Sequence, residues 1–323
     1  MFPKRFKYKN QPLVSVLITN YNYGRYLREA IDSVLNQSYS HMEVIVVDDG
    51  SIDHSREVIA SYKNKIIPVI KENGGQASAM NAGFAISQGE IICSLDADDV
   101  WLPTKVEQVV QAACAYPNAV VIYHKVQNID GAGQPKGKPW PPYKVIKGDI
   151  SSKVARTGGW WPFPPSTALS FTRTFLTKVM NIPEEEYRFS AEPYLADLAP
   201  FFGEVVGIDQ ALSLFRLHGA NNWSNPIDIE KRSLENHEVR VKVLNYTLKN
   251  LGVDAEVSLA DHWPYQRLRH KLGYEKSLIH LSRLVLKNPW EGRFTSKLKA
   301  VFKLCFIESP RYWFKFRKEQ SEY

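Results

Sequence analysis

Residues 94–101, SLDADDVW, place the carboxylates Asp96, Asp98 and Asp99 directly behind an apolar run, Ile91-Ile92-Cys93-Ser94-Leu95. Like charges this close repel, and each raises the pKa of the next. A positive partner therefore belongs beside them. A hard divalent cation prefers oxygen, and Mg2+ usually takes one or two carboxylates, with substrate phosphates and water completing an octahedron. Asp96 and Asp98 at a strand end supply that minimal set. The plainer reading makes Asp96 to Asp99 loop residues capping the helix after Pro103. It is weakened by the strand before them and by a second acidic pair, Asp48-Asp49, upstream.

Positioning these groups takes a series of strands. Residues 13–18 (LVSVLI), 43–47 (EVIVV), 66–70 and 90–95 read as short buried strands. Between them the spacing of Tyr26, Leu27, Ala30, Ile31, Val34 and Leu35 predicts a helix. Asp53 is placed to cap a helix through Tyr62, and 77–86 reads as another. Strand and helix alternation argues for a mainly parallel α/β sheet. Ligands of such sheets bind outside the strand carboxyl ends. Three polar clusters fall at those ends, Thr19–Asn22, Asp48–Ser51 and Asp96–Asp99, and they can converge on one crevice. Residues 131–165 are dense in Gly, Pro and Trp and read as a long binding loop or lid. Beyond Pro226 the pattern is helical, over roughly 228–250, 264–287 and 294–306.

Composition narrows the class further. The 323 residues suffice for one or two domains, and 44% hydrophobic with 23% charged residues is ordinary for a globular chain. No apolar run reaches the length of a membrane span, and no apolar signal core follows the basic MFPKRFKYKN start. Cys93, Cys114 and Cys305 are widely spaced and form neither a disulfide framework nor a metal pattern, which suits a cytoplasmic protein. The net charge of +7 sits in the tail, because residues 261–323 carry 14 Lys or Arg against 6 Asp or Glu.

The segments VSVLITNYNYGRYLREAIDSVLNQSY, EVIVVDDGSID, NGGQASAMNAGFAISQGEIICSLDADDVW and, later, FRLHGANN resemble the family 2 glycosyltransferases of the GT-A fold. The first three cover nearly all of residues 14–101 in the family's order and spacing. Similarity weakens after residue 105, is local from 160 to 222, and is absent past 230. The resemblance implies a GT-A domain over 1–225, with a nucleotide-sugar half (1–105) and an acceptor half (106–225), followed by a helical, basic extension over 226–323. It implies a UDP-sugar donor, Mg2+ or Mn2+, inversion at the anomeric carbon, and a glycan or lipid-linked acceptor, as in bacterial surface polysaccharide synthesis. Thr19 and Tyr21 match positions lining the nucleobase pocket, and Asp49 matches a carboxylate that bonds the base. Asp48 sits in the same turn, and the two could exchange roles. Asp96 matches the residue leaning toward ribose and metal, and Asp98 the metal ligand, with Asp99 adjacent. Asn73 and Asn81 match polar positions near the donor, though turn and helix-cap roles fit them equally.

An inverting transfer also needs a base within hydrogen-bond reach of the acceptor hydroxyl. SAEPYLADLAPFFGEV, 190–205, resembles the family stretch that carries it, with Glu192 at the expected place. Family members often have an acidic pair there, whereas Pro193 follows here. Asp197, five residues on and on another helical face, is the alternative. In Arg216-Leu217-His218-Gly219-Ala220-Asn221, the resemblance implies a phosphate contact for Arg216 and a metal or diphosphate contact for His218. Trp160 and Trp161, with Thr167 beyond them, could form an aromatic lid over donor and acceptor.

The tail raises a separate possibility. In KLKAVFKLCFI, 297–307, Val301, Phe302, Cys305 and Phe306 form an apolar helical face among lysines, and RYWFKFRK follows at 311–318. Such segments can lie on an anionic membrane. The alternative is a helical cap with a solvated basic face. No nucleic-acid-binding module accompanies the charge. A haloacid-dehalogenase-like phosphatase also uses Asp-x-Asp after a strand, but that strand normally opens its fold. A nucleotidyltransferase or a dinucleotide-binding dehydrogenase needs a Gly-rich loop where TNYNYG stands. A catalytically inactive sugar-binding relative is the non-enzymatic alternative, and intact Asp96, Asp98 and Glu192 weigh against it.

Overall fold

The computed structural model describes residues 11–218, 229–274, 277–290 and 294–308. Gly219 to Asn221 and the 311–318 segment singled out above lie outside the described residues. The chain divides into two compact units, Met1–Ile150 with Phe163–Ser224, and Ser151–Pro162 with Asn225–Tyr323.

In the first unit β1 (Val14–Asn20), α1 (Gly24–Leu35), β2 (Met42–Asp49), α2 (Ser55–Ser61), β3 (Ile67–Lys71), α3 (Gln76–Ile86) and β4 (Ile91–Asp96) alternate as the spacing predicts. Strands β5 (Val100–Trp101), β6 (Ala119–Asp130), β7 (Pro135–Trp140) and β8 (Lys147–Gly148) come next, with α4 (Lys105–Ala115) between β5 and β6. After α5 (Ser151–Ala155), which belongs to the second unit, the first unit resumes with β9 (Leu169–Thr172), α6 (Arg173–Val179), α7 (Glu192–Leu198) and β10 (Glu204–Leu217). All ten strands join one sheet in the order β3-β2-β1-β4-β9-β6-β10-β5, with β7 on β6 and β8 on β10.

The four strands from β3 to β4 are parallel to one another, as are β6 and β10. Continuous burial of Val44 to Val47 and of Ile91 to Cys93 is what a sheet covered on both faces requires. Leu27, Ile31 and Val34 of α1 and Val106, Val109 and Ala113 of α4 recur at helical spacing and pack into one core cluster with Val14, Val16 and Ile18 of β1. Parallel register sets the site: Asn20 lies opposite Asp48, and Thr19 opposite Asp96. Polar residues that end adjacent parallel strands thus reach the same edge of the sheet together.

Some local expectations are revised. The N-cap of α2 is His54 rather than Asp53, and Asp53 Oδ1 instead accepts from the Ser55 amide at 2.9 Å. Residues 131–165 are not one loop, since β7, β8 and α5 fall within them. The single helix predicted over 264–287 is two, α9 (Trp263–Lys271) and α10 (Leu278–Lys287). Gly273, at φ +80, follows α9, and the Ser277 hydroxyl caps α10 by accepting from the His280 amide.

The second unit is helical. It contains α8 (Ile229–Asn250), α9, α10 and α11 (Phe294–Lys303), with a π-type turn over Leu304–Glu308. Asn245 holds Val257 by accepting from its amide and donating to its carbonyl, each at 2.9 Å. Trp290 Nε1 donates to the Trp160 carbonyl at 3.1 Å.

Candidate active site

A cleft of about 1180 Å3 opens at the carboxyl ends of β1, β2 and β4. It is large for a small-molecule pocket. Thr19, Tyr21, Asp49, Asn73, Asp96, Asp98, Glu192 and His218 line it. The structure therefore brings together predicted residues from places as distant as Thr19 and His218.

Asp96 ends β4. Its Oδ1 accepts from Gln76 Nε2 at 2.9 Å and from Thr19 Oγ1 at 3.4 Å, and its Oδ2 accepts from the Ser166 hydroxyl. Burial, and then the charges of Asp98 and Glu192, push its pKa up to about 7 against these hydrogen bonds. Asp98 Oδ2 and His218 Nε2 are 2.9 Å apart. The His218 ring packs against Tyr23 and Tyr26, with centroids 5.5 and 5.2 Å away. Asp99 Oδ1 accepts from the Arg216 amide at 2.8 Å, while its buried Oδ2 has no hydrogen-bond partner among the described residues. Burial and the neighbouring charges of Asp98 and Asp96 hold this carboxyl well above the usual range.

Asp49 is saturated from within. Its Oδ1 accepts from Lys71 Nζ at 2.8 Å and the Gly74 amide at 2.9 Å. Its Oδ2 accepts from the Gly75 amide at 2.7 Å and Asn73 Nδ2 at 3.1 Å. Asp48 is buried, bonded to Asn20 at 2.9 Å and to Arg56 at 3.2 Å, and is absent from the cleft lining. Between the two neighbours, Asp49 is thus the one that reaches the cleft.

Glu192 opens α7 and lines the cleft, whereas Asp197 of the same helix is buried and does not. Asn81 is used structurally: its side chain accepts from the Ile182 amide and donates to the Ile182 carbonyl, both at 2.9 Å. Arg216 is also absent from the lining. It donates to Glu29 at 2.6 Å and to the Asp98 carbonyl at 2.8 Å, and its guanidinium lies 4.7 Å from the Tyr26 ring centroid. It buttresses the carboxylate loop from behind.

Trp160 and Trp161 fall in the second unit, and Trp161 is fully buried. Thr167 is buried too, accepting from Trp101 Nε1 at its carbonyl, 3.0 Å away. The lining residues from this stretch are Phe163, Pro164 and Pro165, joined by Trp140, Phe189 and Phe215. Sequence reasoning missed Gln76, Ser166 and Arg188. Gln76 lay inside the quoted NGGQASAMNAG segment, but a glutamine after a turn has no distinctive signal. Arg188 Nη2 donates to Asn73 Oδ1 at 2.6 Å, a contact spanning 115 residues that no local pattern announces.

A divalent cation fits the donor set. Buried carboxylates that repel one another, with an unpartnered oxygen on Asp99, are what an oxygen-seeking cation relieves. Among the described residues no group of three or more His, Cys, Asp or Glu is arranged to hold a metal alone. A cation held here would draw its remaining ligands from a substrate and water.

With this geometry in view, known proteins give a consistent picture. The family profile described as glycosyl transferase family 2 matches residues 15–178. An uncharacterised glycosyltransferase of a Nostoc species is 35% identical over 308 residues, covering 91% of this chain and 94% of that one. Glycosyltransferase GlyG of Streptococcus pneumoniae is 36% identical over 125 residues, 37% of this chain and 42% of that protein. Among solved structures, S. aureus TarS 1–349 in complex with UDP-GlcNAc aligns with a TM-score of 0.55 at 16% identity, covering 90% of this chain and 91% of that one. The mannosyltransferase PcManGT of Pyrobaculum calidifontis, in complex with GDP-Man and Mn2+, aligns at 0.50 and 16% identity over 94% of this chain and 83% of that one. Likenesses at this identity speak for the fold, a GT-A type mixed α/β sheet followed by C-terminal helices.

Proposed function

The chain belongs to glycosyltransferase family 2, and on that premise we propose that it moves a sugar, with inversion, from a UDP-linked donor to a hydroxyl of a glycan or lipid-linked acceptor. One observation carries this reading. Asp96, Asp98 and Glu192 line the same cleft, at the carboxyl ends of parallel strands where nucleotides are bound. TarS binds UDP-GlcNAc and PcManGT binds GDP-Man with Mn2+. These ligands support a nucleotide-sugar donor and a divalent cation here.

Asp96 and Asp98 would hold Mg2+ or Mn2+ together with substrate phosphate and water, and His218, 2.9 Å from Asp98, would contact the ion or the diphosphate. The cation supplies charge compensation as the diphosphate leaves. Tyr21, Asp49 and Asn73 form the nucleobase end of the cleft. Because four internal donors already fill the Asp49 oxygens, the base bonds there by displacing one of them. Glu192 takes the proton from the acceptor hydroxyl as its oxygen bonds to the anomeric carbon and the carbon–diphosphate bond breaks. Trp140, Phe163, Phe189 and Phe215 offer ring faces for the sugars. We assign this chemistry to residues 1–225, and peripheral membrane contact to the extension. The assignment to bacterial surface polysaccharide synthesis rests on family analogy alone.

Calorimetric titration with UDP, with GDP and dTDP alongside, in Mn2+ and in chelator, tests the donor class. Metal-dependent binding of UDP that Asp98→Ala removes is the expected result. The variant Glu192→Gln should bind UDP as wild type while transfer falls about 100-fold or more. A folded protein that binds no nucleotide overturns the reading. Near wild-type transfer by Glu192→Gln overturns the base assignment.

A further inference from the structure

Helix α11 and the turn after it carry an apolar stripe that the protein leaves in solvent. Phe294, Leu298, Phe302 and Phe306 are 67, 47, 58 and 68% exposed. Spaced four residues apart, they fall along one side of the helix. The Phe302 and Phe306 rings lie 4.8 Å apart, centroid to centroid. The opposite side is the packed one: Leu304 is buried, Ala300 is half-buried, and Lys297 Nζ donates to the Leu286 carbonyl at 2.9 Å. The outward face is thus rotated from the one read in the sequence, since Val301 and Cys305 are partly buried. A soluble surface helix puts its aromatic residues inward. Here three phenylalanines point outward from a helix already packed on its other side.

Charge indicates what covers them. Lys299 and Lys303 are exposed and border the stripe, and α11 contains no Asp or Glu. Residues 261–323 carry 14 Lys or Arg against 6 Asp or Glu. Aromatic and leucine side chains flanked by lysines along one helix are the signature of a helix lying in the plane of an anionic bilayer surface. No helix among the described residues is long and apolar enough to cross a membrane, so the contact is with the surface.

We propose that the Phe294–Leu298–Phe302–Phe306 face of α11 and the turn after it is a docking surface for anionic lipid. The phenylalanines enter the boundary between headgroups and acyl chains, and Lys299 and Lys303 engage the lipid phosphates. This deepens the membrane contact assigned above to a defined face. It does not depend on the identity of the donor or on the transfer chemistry.

Flotation of the full chain with vesicles tests it, using phosphatidylcholine alone and phosphatidylcholine with about a third phosphatidylglycerol. The wild type should float with the anionic vesicles only, and less so as salt is raised. The double variant Phe294→Ser, Phe302→Ser should lower partitioning at least about tenfold. The charge reversal Lys299→Glu, Lys303→Glu should lower it by a similar factor. Both variants touch exposed positions, so UDP binding and thermal midpoint serve as folding controls and should match wild type. The proposal fails if wild type does not float, or if the phenylalanine variant floats unchanged. It also fails if light scattering shows a dimer that the phenylalanine variant dissolves, since the stripe would then join two copies of this chain.

Discussion

Gln76 links Asp96, at the end of β4, to the segment that opens α7. Its Nε2 donates to Asp96 Oδ1, and its Oε1 accepts from the Ala191 amide, each at 2.9 Å. The Ala191 N–H can only donate, which fixes the orientation of the amide. Ala191 immediately precedes Glu192, so one side chain spans the end of β4 and the start of α7. Replacing it with leucine keeps the bulk and removes both bonds. On the proposed function, Gln76→Leu should lower kcat of transfer about 10- to 100-fold, as loss of a group orienting a metal ligand typically does, with the thermal midpoint little changed. Steady-state transfer beside calorimetric UDP binding checks this. Wild-type kcat would mean the bridge only helps the loop pack.

Gly75 makes the loop around Asp49 possible. Its φ of +91 with ψ of 177 lies in a region essentially reserved for glycine. A Cβ there would meet the Arg188 carbonyl oxygen at 2.3 Å. That same carbonyl accepts from the Gln76 amide at 2.8 Å. Gly75→Ala should therefore cost about 1–3 kcal/mol of stability and weaken UDP binding, because Arg188 and Phe189 line the cleft. Gly137→Ala is the control. Its φ is also positive, +66, but nothing lies within 4 Å of an added Cβ. Urea denaturation of both variants should show the larger loss at Gly75, and equal losses would show that backbone conformation alone is responsible.

Much of this was legible in the residues, for a physical reason. Strands β1, β2 and β4 are continuous apolar runs because their sheet is covered on both faces, and polar residues that end them line the cleft. Asp49, Asp96 and Asp98 could therefore be placed in one cleft by counting strands. Side-chain direction was harder to read. The Arg-x-His pair at 216 and 218 looks like one functional unit, yet His218 lines the cleft and Arg216 turns to Glu29 and the Asp98 carbonyl. Alternation along a strand would put residues 216 and 218 on one face, but β10 ends at Leu217, so His218 lies beyond the strand and does not follow that alternation. The aromatic stretch at 160–165 shows the same limit. Composition identified it as aromatic, but Trp161 is buried in the second unit, while Phe163, Pro164 and Pro165 line the cleft. Strand β7, with exposed residues throughout and a positive-φ glycine inside it, has no alternation to detect.

His124, which is not among the residues lining the cleft, gives the first unit an acid-sensitive point. It is fully buried on β6, its Nδ1 lies 2.8 Å from the Lys125 carbonyl, and its Nε2 has no partner among the described residues. Burial, and then the charge of Lys105, push its pKa from 6.5 down to about 3. Lys105 is itself buried, its ammonium 3.4 Å from the centroid of the Trp101 ring. Below pH 6.5 the unfolded chain takes up a proton at this histidine that the folded chain refuses. Its contribution to stability is therefore complete above about pH 6.5 and declines as pH falls toward about 3. Between about pH 7.5 and 5 the expected loss from this one group is roughly 2 kcal/mol. His237 and His262, also held below the ordinary histidine range by burial, add to the total in wild type. The measurement that isolates His124 is the difference in unfolding free energy between the two pH values, in wild type and in His124→Phe. A phenylalanine cannot titrate, so the variant should lose roughly 2 kcal/mol less on acidification, whatever its stability at neutral pH. An unchanged difference would mean that water or rearrangement lets the folded protein protonate this ring at ordinary pH.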